Sequence, residues 1–148
     1  MNGRGRANAE LMGEWMVEKG IKPDAVITSS TKRAQETWKR VKKVLGEDAT
    51  TIVADELYSS GPDRMLKALH TAPEEARTVL MIGHQPVMSS FARKLANGST
   101  PSSCARAYKK FPTAAVAVIA PKAEKWDDVS FGNADFKKFV CPKEMADS

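Results

Sequence analysis

The sequence predicts an α/β fold, a three-layer α/β/α sandwich whose mostly parallel sheet is covered by helices on both faces. Three observations predict it. Short apolar runs of strand length recur as DAVITSS, TTIVADEL and TVLMIG. Segments with apolar residues at one-turn spacing lie between them. Glycine and proline signals, as in SSGPD and LANG, punctuate the alternation.

Asn2 can cap a first helix whose apolar positions Leu11, Met12, Trp15 and Met16 recur until Gly20 ends it, and Pro23 blocks continuation. DAVITSS then reads as a short buried strand. TKRAQETWKRVKKVLG follows as a helix with Ala34, Trp38, Val41 and Leu45 on one face. TTIVADEL is the next strand. After the SSGPD turn, RMLKALH makes a short helix, TVLMIG a strand and PVMSSFARKLANG a helix closed by glycine. A polar loop, STPSSCARAYKKFP, leads to the strand TAAVAVIAPK, and NADFKKFVCP is a last strand at the sheet edge. No repeat, low-complexity tract or linker divides residues 1–148, which read as a single domain.

Composition narrows the function classes. The 148 residues are 42% hydrophobic and 28% charged, enough for one core. No run approaches the roughly 20 apolar residues of a membrane span, and MNGRGRANAE lacks the apolar centre of a signal peptide. A cytoplasmic protein with no membrane partner is expected. Cys104 and Cys141 stand apart and read as free thiols. With only His70 and His84 to add, no cluster has metal-ligand spacing, so neither metal nor cofactor is expected. The net charge of +5 has its densest source in KRVKKVLG, where lysines alternate with apolar residues at helical spacing. That is a solvated helix face rather than a nucleic-acid surface, though it steers anionic substrates modestly.

Two strand ends carry suggestive chemistry, because ligands of open α/β sheets bind beyond the carboxyl ends of the strands. In ITSSTKRAQET, Ser29, Ser30 and Thr31 are natural N-cap residues and Arg33 falls in the first turn of the next helix. Free backbone N–H groups, the helix dipole and a bidentate guanidinium then converge, which holds a phosphate without metal. In MIGHQPV, Gly83 lets the backbone turn and His84 stands at the mouth of the following helix, where its imidazole can donate to a phosphoryl oxygen. Either signal alone also fits a surface cap or a histidine satisfied at a strand end. Their joint occurrence after strands of one sheet is more informative.

Taken in order, these pieces resemble the histidine phosphatase superfamily, with its phosphoglycerate mutase-like fold, and within it the small phosphohistidine phosphatase branch. MNGRGRANAELMG resembles the stretch after the family's first loop, ITSSTKRAQETW its second phosphate-binding arginine motif and LMIGHQPVM its second histidine motif. FPTAAVAVI and FKKFVCP resemble the last strands of the branch. The resemblance implies that Arg33 and Ser30 bind phosphate and that His84 is the catalytic histidine stabilising the transferring phosphoryl group. It also implies a phosphohistidine enzyme intermediate, formed by a nucleophilic histidine in an Arg-His motif at the end of the family's first strand.

No such motif precedes MNGRGRA, and His70 in LKALHTAPEE sits at the far end of a short helix, a surface residue. The expectation is an N-terminally incomplete domain that lacks the first strand, leaves unpaired edges and turns over little. A reading frame begun at an internal methionine explains this better than evolved loss. Only a short turn precedes RMLKALH, where family members that act on small sugar phosphates usually carry longer insertions, so the resemblance implies an open site suited to a phosphoryl group displayed on a protein. Asp55 and Glu56 are the nearby acidic candidates, but a cap and a solvated face account for them. The expected function is removal of phosphate from phosphohistidine in proteins. The alternatives are an inactive module that binds phosphate or phosphoprotein, and an α/β domain without phosphate chemistry.

Overall fold

A computed structural model of the chain describes residues 3–46, 49–54, 61–83, 87–98, 100–111 and 114–146. Helix α1 spans Gly3–Glu18, strand β1 Ala25–Ser29, helix α2 Lys32–Leu45 and strand β2 Thr50–Ala54. Helix α3 (Pro62–Leu69), strand β3 (Val79–Ile82) and helix α4 (Val87–Leu95) follow. The remainder comprises a short helix α5 (Ser102–Ala105), strand β4 (Val116–Pro121), strand β5 (Ala134–Val140) and a terminal helix α6 (Pro142–Ala146). Among the described residues no helix is long and apolar enough to cross a membrane. Asn2, the expected cap of α1, lies outside them.

β1 is the centre of a parallel sheet ordered β2-β1-β3, with Ala25 opposite both Thr50 and Val79. All five of its residues are buried. Successive side chains of a strand point to opposite faces, so a strand covered on both sides presents apolar residues to each, here Ala25, Val26 and Ile27, while the Thr28 hydroxyl donates to the Ser29 carbonyl at 3.2 Å. Val26 accordingly packs with Trp15, Met16, Trp38 and Val41 of α1 and α2. Ile27 packs with Met65, Leu69, Phe91 and Leu95 of α3 and α4 on the opposite face. These are the three expected layers. Asp24 ties the amino edge together: its carboxylate accepts from the Arg77 and Thr78 N–H groups, at 2.9 and 3.1 Å, and its carbonyl accepts from Thr50 N–H.

α1 lies against α2 with little room to spare. A Cβ on Gly13 would come within 3.1 Å of Val44 Cβ and 3.3 Å of the Val41 carbonyl oxygen, a tight fit that favours glycine where the two helices approach. α1 closes at Gly20, whose φ of 71° suits glycine as a helix terminator.

The sheet is not the single layer that the sequence suggests. β4 and β5 form a separate antiparallel pair, with Val116 opposite Val140 and a register shift between Val118 and Ile119. Trp126 Nε1, after β4, donates to the Ala76 carbonyl just before β3 at 2.6 Å. The end of β4 therefore lies at the amino edge of the parallel sheet, and β4 runs opposite to β3. Among the described residues, β3 pairs only with β1 and β4 only with β5.

The polar loop after α4 is also more ordered than its composition suggests. Cys104 and Ala107 are buried against Ala92, Phe136 and Phe139, which makes α5 and the turn Arg106–Tyr108 a third small core. Arg106 joins this turn to the C-terminus, donating to the Phe139 carbonyl at 2.7 Å and pairing with Glu144 at 2.7 Å. The Glu144 carboxyl is held below its ordinary value of 4.5 by the Cys141 backbone N–H and then by Arg106. A lowered folded-state pKa contributes stability above the ordinary value that is lost as pH falls through the lowered one. An NMR titration of the Glu144 side chain is expected to give a midpoint below 4.5. A midpoint at or above that value would contradict the contact.

Candidate functional site

The β1–α2 connection is built by three consecutive hydroxyl residues with different tasks. Ser29 is fully buried, and its Oγ accepts from the Thr31 N–H at 3.2 Å. The Ser29 hydroxyl also donates to Thr31 Oγ1 at 3.3 Å. Thr31 is the N-cap, with extended backbone, and its Oγ1 accepts from the Ala34 N–H at 3.2 Å. Ser30 is the half-buried residue between them, and its carbonyl accepts from Gln35 Nε2 at 2.9 Å. The loop is pinned from both ends. Thr31→Ala is expected to cost about 1 kcal/mol of stability, the usual loss of an N-cap hydroxyl, measurable by urea denaturation. An unchanged midpoint would show that the cap does not hold this turn.

Arg33 sits exposed in the first turn of α2 beside Lys32, and that turn holds no acidic residue. Two cations at the positive end of a helix dipole oppose it by about 0.3–1 kcal/mol each, and an anion there reverses the sign. Among the described residues no carboxylate pairs with Arg33.

Arg33 and Gly83 line one cavity of about 1090 Å³, together with Thr31, Ala34 and Met88. Gly83 follows β3 directly, and a Cβ there would lie 2.9 Å from Met88 Sδ, so glycine lets Met88 of α4 pack over the strand end. The other charged residues lining this cavity, such as Glu74 and Lys125, belong to segments at the amino edge of the sheet. Among the described residues Arg33 is thus the charged group at the carboxyl end. Ser30 lines a different, shallow depression with Lys32, Gln35 and Lys39. His84, Asp55 and Glu56 lie outside the described residues.

His70, expected at the surface, is half-buried and its Nε2 lies 2.8 Å from the Val129 carbonyl. α3 leads into β3, so its last turn stands at the amino edge, remote from Arg33. Among the described residues no group of three or more His, Cys, Asp or Glu side chains could hold a metal ion. One contributor to the loop was not named from sequence: Gln35, whose bond to the Ser30 carbonyl depends on the helix starting where it does.

No protein-family model matches the chain. The uncharacterized protein Rv1276c of Mycobacterium tuberculosis (strain ATCC 25618 / H37Rv) is 32% identical over 142 residues, which are 95% of this chain and 87% of that protein. Among solved structures, a candidate phosphohistidine phosphatase SixA of Nakamurella multipartitia superimposes with a TM-score of 0.83 and 25% identity, over 96% of this chain and 84% of that one. A protein histidine phosphatase SixA complexed with tungstate superimposes with a TM-score of 0.78 and 23% identity, over 97% and 84% of the two chains.

Proposed function

The chain belongs to the histidine phosphatase superfamily, in its small phosphohistidine phosphatase branch, and from that premise we propose that it supplies the phosphoryl-binding half of a phosphatase acting on phosphohistidine in proteins. The observation that carries this reading is that Arg33 and Gly83, the residue before His84, line one cavity whose carboxyl end is cationic.

In the proposed reaction a histidine in an Arg-His strand end attacks phosphorus in line, and the substrate imidazole leaves. Negative charge grows on the equatorial phosphoryl oxygens. Arg33 meets it with a bidentate guanidinium, the first turn of α2 adds backbone N–H groups that its cap does not occupy, and His84 donates from its place after β3 in the sequence. Water then hydrolyses the phosphohistidine enzyme. Imidazole is a good leaving group once protonated, so the substrate class asks less of a general acid than an alkyl phosphate does.

A second reading has its own support. The sequence contains two histidines, and His70 is engaged with Val129 at the far edge. With His84 in the stabilising role, residues 1–148 bind phosphoryl groups without a nucleophile. Both readings require anion recognition, so a peptide bearing phosphohistidine is expected to bind the chain and to be displaced by vanadate. Binding that vanadate leaves untouched would remove the phosphoryl group from the contact.

A further inference from the structure

We propose that Lys109 and Lys110, in the turn that leads towards β4, form with Lys32 and Arg33 a cationic rim that docks an acidic face of the protein carrying the phosphohistidine. This rests on the proposed function and names what surrounds the phosphoryl group.

Topology brings the two pairs of cations to one end of the sheet. Lys32 and Arg33 open α2, beyond the carboxyl end of β1. Ser89 lies in the first turn of α4, beyond the carboxyl end of β3, and its hydroxyl donates to the Ala107 carbonyl at 2.9 Å. That bond holds the turn Arg106–Tyr108 at the same end. The backbone N–H groups of Lys109 and Lys110 both bond to the Arg106 carbonyl, at 3.2 and 3.1 Å, so the two lysines are carried with it. Phe111, which follows, lines the cavity that Arg33 and Gly83 also line. The mouth of that cavity therefore has cations on α2 and on this turn.

Their charge is unspent. All four side chains are exposed, and among the described residues no carboxylate pairs with any of them. Arg106, just before them, shows the contrast, because Glu144 and the Phe139 carbonyl take up its guanidinium. Glu36, a turn along α2, has a partner of its own, and Asp63, exposed at the start of α3, stands beside Arg64. Other carboxylates gather at the amino edge, where Asp24, Glu74, Glu75, Asp127 and Asp128 lie before β1, before β3 and after β4. The positive field thus faces the end where the phosphoryl group is proposed to bind.

The occupant follows from what the rim lacks. One phosphoryl group is met by Arg33 and the N–H groups of α2, whereas Lys109 and Lys110 stand on a different element and need anions of their own. A protein face presenting Asp or Glu around its phosphohistidine supplies them. Nucleic acid suits the rim less, because its aromatic rings are already covered. Phe111 packs edge-on against Phe139 with centroids 5.1 Å apart, and Arg93 lies over the Tyr108 ring at 5.7 Å, so neither offers a free stacking platform to a base.

The probes are two synthetic phosphohistidine peptides of equal length, one flanked by aspartates and glutamates and the other by serines and glycines, titrated into residues 1–148. The acidic peptide is expected to bind about tenfold more tightly at low ionic strength, an advantage that shrinks as salt screens exposed charges. The double variant Lys109→Glu, Lys110→Glu is expected to abolish the advantage and Lys109→Gln, Lys110→Gln to leave part of it, the second guarding against a folding defect in the first. Equal binding of the two peptides by the parent chain would overturn the proposal and leave the proposed function standing. Binding of neither would overturn both. Variants that lose the neutral peptide and vanadate as strongly as the acidic peptide would place the lysines in the phosphoryl contact itself and overturn the rim. A single-stranded oligonucleotide that binds more tightly than the acidic peptide, and weakens as much in the Glu variant, would overturn it in favour of nucleic acid.

Discussion

Arg33→Ala is expected to weaken the binding of phosphate, vanadate or tungstate by about 1.5–3 kcal/mol, the range for hydrogen bonds to charged groups, which is roughly ten- to hundred-fold in affinity. The loss is expected to be large because no described carboxylate competes for the guanidinium and because it is the charged group at the carboxyl end of the cavity. Arg33→Lys should restore only part of it, since an ammonium cannot form the two parallel bonds of the fork. Fold stability should change little, as Arg33 is exposed. Calorimetry in which Arg33→Ala binds as tightly as the parent would remove Arg33 from the site.

The second large effect concerns turnover. Residues 1–148 are expected to leave an aryl phosphate and a phosphohistidine peptide essentially unhydrolysed, while a form carrying a strand that ends in Arg-His hydrolyses the peptide and can be trapped as a phosphohistidine. Covalent catalysis divides one difficult displacement into two easier ones, and without the nucleophile only water attack in the cradle remains. Robust hydrolysis by residues 1–148 would contradict this account and require a different nucleophile. Activity absent from both forms, with anion binding retained, would favour the binding module over the enzyme.

The legible parts of this molecule are the local ones. The β1–α2 turn could be read because cap, dipole and arginine lie within a few consecutive residues, and strand burial follows from the apolar run Ala25 to Ile27. Placement across the sheet could not. Nothing in TAAVAVIAPK shows that β4 runs against β3, which depends on Trp126 reaching Ala76 from a distant loop. The short helix α5 was hidden for a similar reason: Cys104 and Ala107 show no periodicity, and only contact with Phe136 and Phe139 orders them. His70 looked solvated because its partner, the Val129 carbonyl, is remote in sequence. Ser29, Ser30 and Thr31 all read as N-cap residues, and contacts rather than residue type separate them: the cap falls to Thr31 and the buried anchor to Ser29.

The central claim is that Arg33 and His84 hold one phosphoryl group between them. The most direct test is an NMR titration of vanadate into the chain, following the Arg33 side-chain Nε–H and the His84 imidazole together. Both are expected to shift along one saturation curve, and Arg33→Ala should abolish the His84 response at the same vanadate concentrations. A His84 signal that stays still while Arg33 saturates, or that saturates unchanged without Arg33, would contradict the account.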